Sequence, residues 1–361
     1  PRHWRVEGSP PKGLDYASLS PLRRHPVLTA SDYRPPAWLR NPHVQSLLSA
    51  APPRQLAGER LLRALAPRVE EWLLPAGDAT LQAFHLTLPA RAPRGLALLL
   101  HGWEGSHRSS YVRHTAHALL KAGIDVVKLN FRDHGDTHHL NPEPFHSCRL
   151  DEVVMAAKAA QARRPDLPWF VAGFSLGGNF ALRVARAAPA AGLRLAHVAA
   201  VCPVVHGESG LRALETGLPL YHWYFMKKWR RSLEAKRRHF PERHRFVPAD
   251  LDRDMRGLTR FLVEQYTEFP SLEAYLDGYA IAGDRLAGLQ VPASILMAAD
   301  DPVIPVADFH DLQLPPTARL EIAEHGGHCG FILNARLEGF GERWIRSRFR
   351  AALGSARPAG A

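Results

Sequence analysis

The sequence is poor in sulfur. Its 361 residues hold three cysteines, Cys148, Cys202 and Cys329, and four methionines. Three scattered thiols are too few for a disulfide framework or a zinc ribbon, and they fit a reducing compartment. No run of roughly 18 uncharged apolar residues occurs, so no membrane-spanning helix is expected. Residues 1–20 carry Arg2, Arg5, Glu7 and Lys12 and no apolar stretch, so no secretory signal is expected there. A cytoplasmic location is the resulting expectation. Internal repeats are absent as well.

What is present is apolar material in quantity. Hydrophobic residues make up 46% of the chain, ample for a sizeable core. The length suits one large α/β domain with an insertion. The formal charge of +11 favours acidic ligands, nucleic acid or anionic lipid. An Arg-rich composition accounts for it more simply, and no nucleic-acid-binding motif accompanies it, so no nucleic acid is expected.

The order of elements follows from periodicity. Residues 1–65 are rich in Pro, Arg and Leu and read as a lead-in arm with short helices. Residues 70–74 and 80–88 read as two strands around a Gly77-Asp78 turn. The apolar run 95–100 suits a strand buried on both faces. Helices at 111–121, 151–164 and 178–188 then alternate with strands at 124–131, 169–174 and 195–205. Such alternation implies a mostly parallel sheet flanked by helices. It stops near Gly207. Helical patterns at 211–214, 221–238, 255–265 and 271–279 follow, so residues 208–285 read as a helical cap inserted between two sheet strands. The β/α pattern resumes with a strand at 292–297, a helix at 305–312, a strand at 318–322 and a helix at 331–349. The core is therefore 66–207 with 286–353, and the tail 354–361 reads as frayed.

One stretch carries chemistry. Gly173-Phe174-Ser175-Leu176-Gly177 follows an apolar strand and opens a helix. The residues beside the serine must be nearly bare for strand and helix to approach, which lifts the hydroxyl to the end of the sheet. A serine needs a base, a group that orients the base, and donors for an oxyanion. On this plan the chain order is Ser, acid, His. Asp300-Asp301-Pro302 follows the strand at 292–297, and Asp301 is the candidate orienter because its Asp-Pro-x-x-Pro turn directs it at the loop tip. Asp300 is held in reserve. A helix-capping Asp-Pro turn is the plainer explanation of the segment taken alone. His325-Gly326-Gly327-His328 follows the next strand, where two glycines let the loop fold back, and His328 is the candidate base with His325 in reserve. His101-Gly102-Trp103-Glu104 follows the buried run 95–100, so the backbone N–H groups of Trp103 and Leu176 are the candidate oxyanion donors.

These residues resemble the α/β-hydrolase superfamily. The closer resemblance is to its YheT-like branch, which groups bacterial hydrolases with eukaryotic α/β-hydrolase-domain lipid esterases. It is carried by Asn41-Pro42-His43-Val44-Gln45-Ser46, His101-Gly102-Trp103-Glu104-Gly105-Ser106, Asn130-Phe131-Arg132, Phe145-His146-Ser147, the Ser175 segment through Asn179, Asp300-Asp301-Pro302, and His325 through Phe331. Together they span about residues 35–345. The resemblance implies an esterase or lipase-like activity on acyl esters, no cofactor, and a triad of Ser175, Asp301 and His328. The sequence departs at Arg132-Asp133-His134-Gly135, where many hydrolases carry Arg-Gly-His-Gly, and Asp133 is expected to add bulk and charge near the site mouth.

Two further features bear on function. His134, Asp136, His138 and His139 invite a zinc reading, but their order is scrambled relative to known metal motifs and no metal is expected. Residues 218–226 are aromatic and run into Lys227, Lys228, Arg230 and Arg231. This block fits a cap lining an acyl pocket, and a peripheral contact with anionic membrane is compatible with it. The apolar cap favours short to medium acyl chains, as in a carboxylic ester or a monoacylglycerol. The rival readings are a thioesterase or acyltransferase on the same scaffold, and a non-catalytic ligand- or membrane-binding protein.

Overall fold

A computed structural model describes residues 27–355 apart from Ala90. The expectations for residues 1–26 and 356–361 lie outside the described residues. Eight strands form one sheet: β1 (Arg68–Ala76), β2 (Ala79–Thr87), β3 (Leu96–Leu100), β4 (Asp125–Leu129), β5 (Trp169–Phe174), β6 (His197–Val201), β7 (Ala293–Ala298) and β8 (Ala318–Ala323). Their spatial order is β1-β2-β4-β3-β5-β6-β7-β8. β1 and β2 form an antiparallel hairpin at one edge, and β2 runs antiparallel to β4. All later pairings are parallel. Every residue of β3, β4, β5 and β7 is buried, as a parallel strand covered on both faces requires.

The lead-in arm supplies α1 (Pro42–Ala50) and α2 (Pro52–Ala64). Asn41 caps α1, accepting from the N–H groups of His43 at 2.9 Å and Val44 at 3.2 Å, with Pro42 opening the first turn. α3 (Ser110–Lys121) ends at Gly123, whose φ of 77° only glycine adopts freely. α4 (Leu150–Arg163) and α5 (Leu176–Ala191) pack on each other, while α3 packs on α11 (Phe340–Ser355), so helices cover both faces of the sheet.

Five helices intervene between β6 and β7: α6 (Gly207–Thr216), α7 (Pro219–His239), α8 (Pro248–Leu251), α9 (Met255–Tyr266) and α10 (Leu272–Gly278). They share their own apolar cluster, with Leu211, Met226, Leu233, Leu258 and Leu276 buried together. The short helix α8 had no counterpart in the sequence pattern. No helix among the described residues is long and apolar enough to cross a membrane.

Three expectations need correction. The helix expected at 305–312 is a single 3-10 turn, Val306–Phe309. The strand expected at 195–205 covers His197–Val201, because Cys202 takes φ 44° and leaves the extended region. The helix expected from 331 begins at Phe340. Phe331 has φ 46°, which a right-handed helix cannot contain, and Ile332 instead pairs with Gly339 in an antiparallel bridge.

Asp133 also differs from expectation. It does not project into the site mouth but is buried, accepting from the Phe145 N–H at 2.9 Å and ion-pairing with Lys236 of α7. Burial outweighs the pull of Lys236 and raises the Asp133 pKa to about 6. Lys236 is itself buried and also donates to the carbonyls of Asn141 and His138, so one ammonium pins α7 to the core. Lys236→Met leaves the buried carboxylate unpaired and is expected to lower stability by roughly 3–5 kcal/mol in denaturant unfolding near neutral pH. An unchanged unfolding midpoint would mean that the pair does not anchor α7.

Candidate active site

Ser175 occupies the tip of the turn between β5 and α5 with φ 54° and ψ −121°. For a non-glycine residue this backbone costs on the order of 1–3 kcal/mol. The surroundings enforce it. A Cβ on Gly173 would sit 2.0 Å from the Gly177 carbonyl oxygen, and one on Gly177 would sit 2.4 Å from the carbonyl oxygens of Leu100 and His101. Strand and helix meet so closely that both flanking positions must be glycine. The Ser175 N–H donates to Val201 O at 2.9 Å, and its carbonyl accepts from the Asn179 N–H at 3.1 Å.

The hydroxyl thus presented meets His328, with Oγ 3.0 Å from Nε2. On the other side of the ring, Nδ1 lies 2.9 Å from Asp301 Oδ2 and 3.2 Å from Oδ1. The Asp301 side chain is wholly inaccessible. Its Oδ1 also accepts from the N–H groups of Val303 and Ile304 at 2.8 and 3.0 Å, which fixes the carboxylate on the turn after β7. Burial opposes a charged imidazole, but the adjacent carboxylate outweighs it and lifts the His328 pKa from 6.5 to about 9.

The reserve residues stand apart from this chain of contacts. Asp300 Oδ1 accepts from the Gly327 N–H at 2.9 Å, and its Oδ2 lies 3.6 Å from His325 Nδ1. Asp300 thus shapes the loop that carries His328. His325 also lies 3.6 Å from the exposed Glu324.

Two residues that sequence reasoning did not assign hold the same loop. Ser46 Oγ accepts from the His328 N–H at 2.8 Å while donating to Pro42 O at 2.7 Å. Gln45 is fully buried; its amide donates to Leu39 O at 2.6 Å and its carbonyl accepts from the Ile332 N–H at 2.7 Å. A Cβ on Gly327, which has φ 55°, would lie 2.3 Å from Pro42 O. Helix α1 therefore packs directly on the histidine loop. Its Asn-Pro-His-Val-Gln-Ser stretch was visible in the sequence, but nothing local tied it to a residue 282 positions away.

The loop after β3 reaches the serine from the other side. A Cβ on Gly102 would lie 3.2 Å from Ser175 Cβ. His101 is buried and accepts from the Phe131 N–H through Nε2 at 3.3 Å, so its Nδ1–H donates to Gly102 O at 2.8 Å. The Gly105 N–H donates to the same oxygen at 3.0 Å. In a trans peptide the N–H points opposite the carbonyl, so fixing Gly102 O also fixes the direction of the Trp103 N–H. Among the described residues neither that N–H nor the one of Leu176, in the first turn of α5, has a hydrogen-bond partner. Burial pushes the His101 pKa down to about 3, keeping the ring neutral for this role.

The histidines after β4 disperse. His134 Nδ1–H donates to Arg132 O at 2.7 Å, and its Nε2 accepts from the Glu104 N–H at 3.1 Å. His138 meets Ser232 Oγ at 2.8 Å, Asp136 pairs with Arg108 at 3.3 Å, and His139 packs near His239. Among the described residues no group of three or more His, Cys, Asp or Glu could hold a metal ion.

Two cavities meet at Ser175. One, about 140 Å³, runs beneath the inserted helices and is lined by Phe145, Leu214, Trp229, Met255 and Leu276 among others. The other, about 230 Å³, runs toward α1 and is lined by Ser46, Glu104, Tyr221, Tyr224, Lys228 and His328 among others.

Comparisons to known proteins bear on family and fold. The family model described as serine aminopeptidase, S33 matches residues 91–331, more than half of the chain. The chain belongs to this family of α/β-hydrolases. It is 26% identical over 337 residues to the Escherichia coli protein named "Putative esterase YheT", covering 89% of this chain and 92% of that one. It is 24% identical over 329 residues to the mouse phospholipase ABHD3, covering 86% and 76%. Among solved structures, the Pyrococcus furiosus esterase Pf2001 superposes with a TM-score of 0.53 at 15% identity, covering 81% of this chain and 92% of that one. A Pyrobaculum calidifontis esterase gives 0.52 at 18%, covering 84% and 90%. The structural likenesses bear on the fold, which is that of the α/β-hydrolases, and the sequence relatives place the chain in the YheT-like branch.

The turn at Ser175 leaves no room for a methyl group on its strand side. Gly173→Ala is expected to cost about 3 kcal/mol or more, because the atom it would strike is backbone and cannot swing aside. Chemical denaturation measures this; a wild-type midpoint would mean that the turn relaxes freely and does not depend on close approach.

Proposed function

We propose that this hydrolase is a serine esterase that cleaves acyl esters through Ser175, His328 and Asp301. The observation that carries the reading is the continuous hydrogen-bonded line from Asp301 through His328 to Ser175. His328 Nε2 takes the Ser175 proton as Oγ attacks the ester carbonyl. The carbonyl oxygen becomes an oxyanion, for which the free N–H groups of Trp103 and Leu176 are the donors, each worth roughly 3 kcal/mol of the barrier. Collapse of the tetrahedral species breaks the bond to the alcohol oxygen, which receives the proton from His328. Water, deprotonated by the same imidazole, then releases the acid from the acyl-enzyme. Asp301 keeps the Nδ1–H tautomer and stabilises the imidazolium in both halves of the cycle.

The esterase and phospholipase names of the relatives support an ester as substrate. A thioesterase or an acyltransferase would use the same residues, and rates with matched ester, thioester and alcohol-acceptor substrates separate the three.

A fluorophosphonate probe should label the purified protein, and Ser175→Ala should abolish labelling and lower p-nitrophenyl ester turnover by about 10⁶-fold. His328→Ala should behave alike, whereas His325→Ala should keep most of the activity. Absence of labelling in a folded sample, or the reverse order of the two histidine variants, would overturn the assignment.

The pH dependence has a definite sign. The base acts only when neutral, and Asp301 holds its pKa near 9. kcat/KM should therefore climb with rising pH, with a midpoint well above the 6.5 of an unperturbed histidine. Asp301→Asn removes the carboxylate, and should move that midpoint down while lowering kcat by about 10⁴-fold. A wild-type midpoint near 6.5, or one that Asp301→Asn leaves in place, would show that Asp301 is not the group that governs the base.

A further inference from the structure

A third cavity, of about 390 Å³, shares no lining residue with the two that meet at Ser175. It lies where the end of α2, the β1–β2 hairpin and the start of α3 come together, and Lys128 of β4 reaches it. Its lining holds four cations, Arg63, Arg108, Arg113 and Lys128, against one carboxylate, Glu59. Glu59 is already shared, for it pairs with Arg63 on its own helix and lies 3.4 Å from Arg113. Arg108 meets the exposed Asp136 at 3.3 Å, outside the lining. His107 adds no charge, since burial above all, and then Lys128, lowers its pKa to about 4. The cavity therefore carries a net positive charge.

Lys128 is the residue that singles this cavity out. It sits on β4 directly opposite Phe84 of β2 and is only 8% exposed. Among the described residues its ammonium makes no hydrogen bond and no ion pair; its one polar contact is with the Phe84 ring, whose centre lies 5.9 Å away. Nζ is not sealed off, however, so it faces the cavity. Burial, then Arg113 and Arg108, push the Lys128 pKa from 10.5 down to about 8, which leaves it charged near neutral pH. A buried charge without a counter-charge is costly. No side chain among the described residues compensates this one, whereas an anion in the cavity would. The buried Leu62 and Leu86 complete the wall and keep water from one side, which strengthens attraction across the space.

The donors say which anion fits. A single carboxylate neutralises one charge and offers two oxygens in one plane. An ammonium and two guanidinium forks offer donors in several directions, which suits a doubly charged tetrahedral group. We propose that this cavity is a binding site for a phosphate monoester, with Lys128 as its central cation and Arg113 and Arg108 as flanking donors. The site is separate from Ser175 and does not rest on the esterase reading. A small soluble ester and the headgroup of phosphatidic acid present the same phosphate, and the test separates the two.

Inorganic phosphate and glycerol 3-phosphate are titrated into the full chain by calorimetry at constant ionic strength, with chloride as the background anion. The wild type should bind each at one site. Lys128→Met should weaken binding by about tenfold or more, the loss expected for a hydrogen bond to a charged group. Arg113→Gln should weaken it less, and Lys121→Gln, an equal loss of charge at an exposed position outside the cavity, should leave it unchanged. In phosphate-free buffer Lys128→Met should unfold at a higher temperature than the wild type, because it removes a buried charge that lacks a partner. Phosphate should raise the wild-type midpoint and not that of the variant. If Lys128→Met does not fold, the wild-type and Arg113→Gln titrations decide. Sedimentation with phosphatidylcholine vesicles, with and without phosphatidic acid, identifies the source: capture that needs phosphatidic acid and Lys128 points to the lipid headgroup, and glycerol 3-phosphate binding without such capture to a soluble ester. No binding of phosphate, glycerol 3-phosphate or vesicles, or binding that Lys128→Met and Lys121→Gln weaken alike, would overturn the proposal.

Discussion

The close approach of β5 and α5 is the constraint on which the rest of the site depends. Gly173 and Gly177 let two backbones come within a distance that no side chain would allow. That contact, rather than any property of serine, forces Ser175 into a left-handed conformation. The penalty is offset locally by backbone hydrogen bonds to Val201 and from Asn179. A hydroxyl fixed in this way has almost no conformational freedom left to lose during a reaction. His328 then sits against a stationary point, which is the condition under which orientation contributes to the rate of a reaction.

His328 itself is carried by a loop, and loops are the less rigid part of such folds. Here the loop holds Cys329 and Phe331 at positive φ, beside Gly326 and Gly327, and for those two non-glycine residues the conformation does not persist without external support. The support comes from outside the catalytic sheet. Asp300 takes the Gly327 N–H, Ser46 takes the His328 N–H, and Gln45 takes the Ile332 N–H. Two of these three come from the lead-in arm. The arm therefore braces the candidate site and is not an appendage, and it also walls the cavity beside His328. The neutral histidines serve a similar end. His101 and His134, each with one nitrogen donating and one accepting, clamp loop backbone where a lysine, with donors only, would offer the wrong pattern.

How much of this was readable in the sequence varies with the range of the interactions involved. The turn at Ser175 was legible because its determinants are five consecutive residues, and the strands β3 and β5 were legible because burial on both faces leaves unbroken apolar runs. Asp301 could be preferred over Asp300 from its turn, a local property. The bracing by Ser46 and Gln45 was not legible, since it joins segments nearly three hundred positions apart. The errors in helix boundaries have the same origin. Residues 331–339 have a composition compatible with a helix, yet Gln45 captures the Ile332 N–H and Phe340 donates back to Phe331 O, so tertiary bonds outbid the local preference. Asp133 misled in the opposite way. A charged residue near a site suggests a role at its mouth, but its partner Lys236 lies on a helix whose docking could not be foreseen from spacing.

Trp103 is held in two separate ways. Its backbone N–H has no partner among the described residues, and its direction is set by His101 through the Gly102 carbonyl. Its side chain does something separate, stacking on Phe225 and meeting Trp229 edge-on at 5.2 Å, both from the inserted helix α7. The peptide plane is held by the core and the indole by the insertion. A substitution in α7 can therefore reshape the wall between the two cavities while leaving the direction of the N–H intact. The attachments of α7 follow the same division: Lys236 ties it to Asp133 in the core, and Lys228 ties it to the Glu104 carbonyl at the cavity. The peptide plane and the indole of Trp103 are thus mounted on separate supports, so that one can shift without the other.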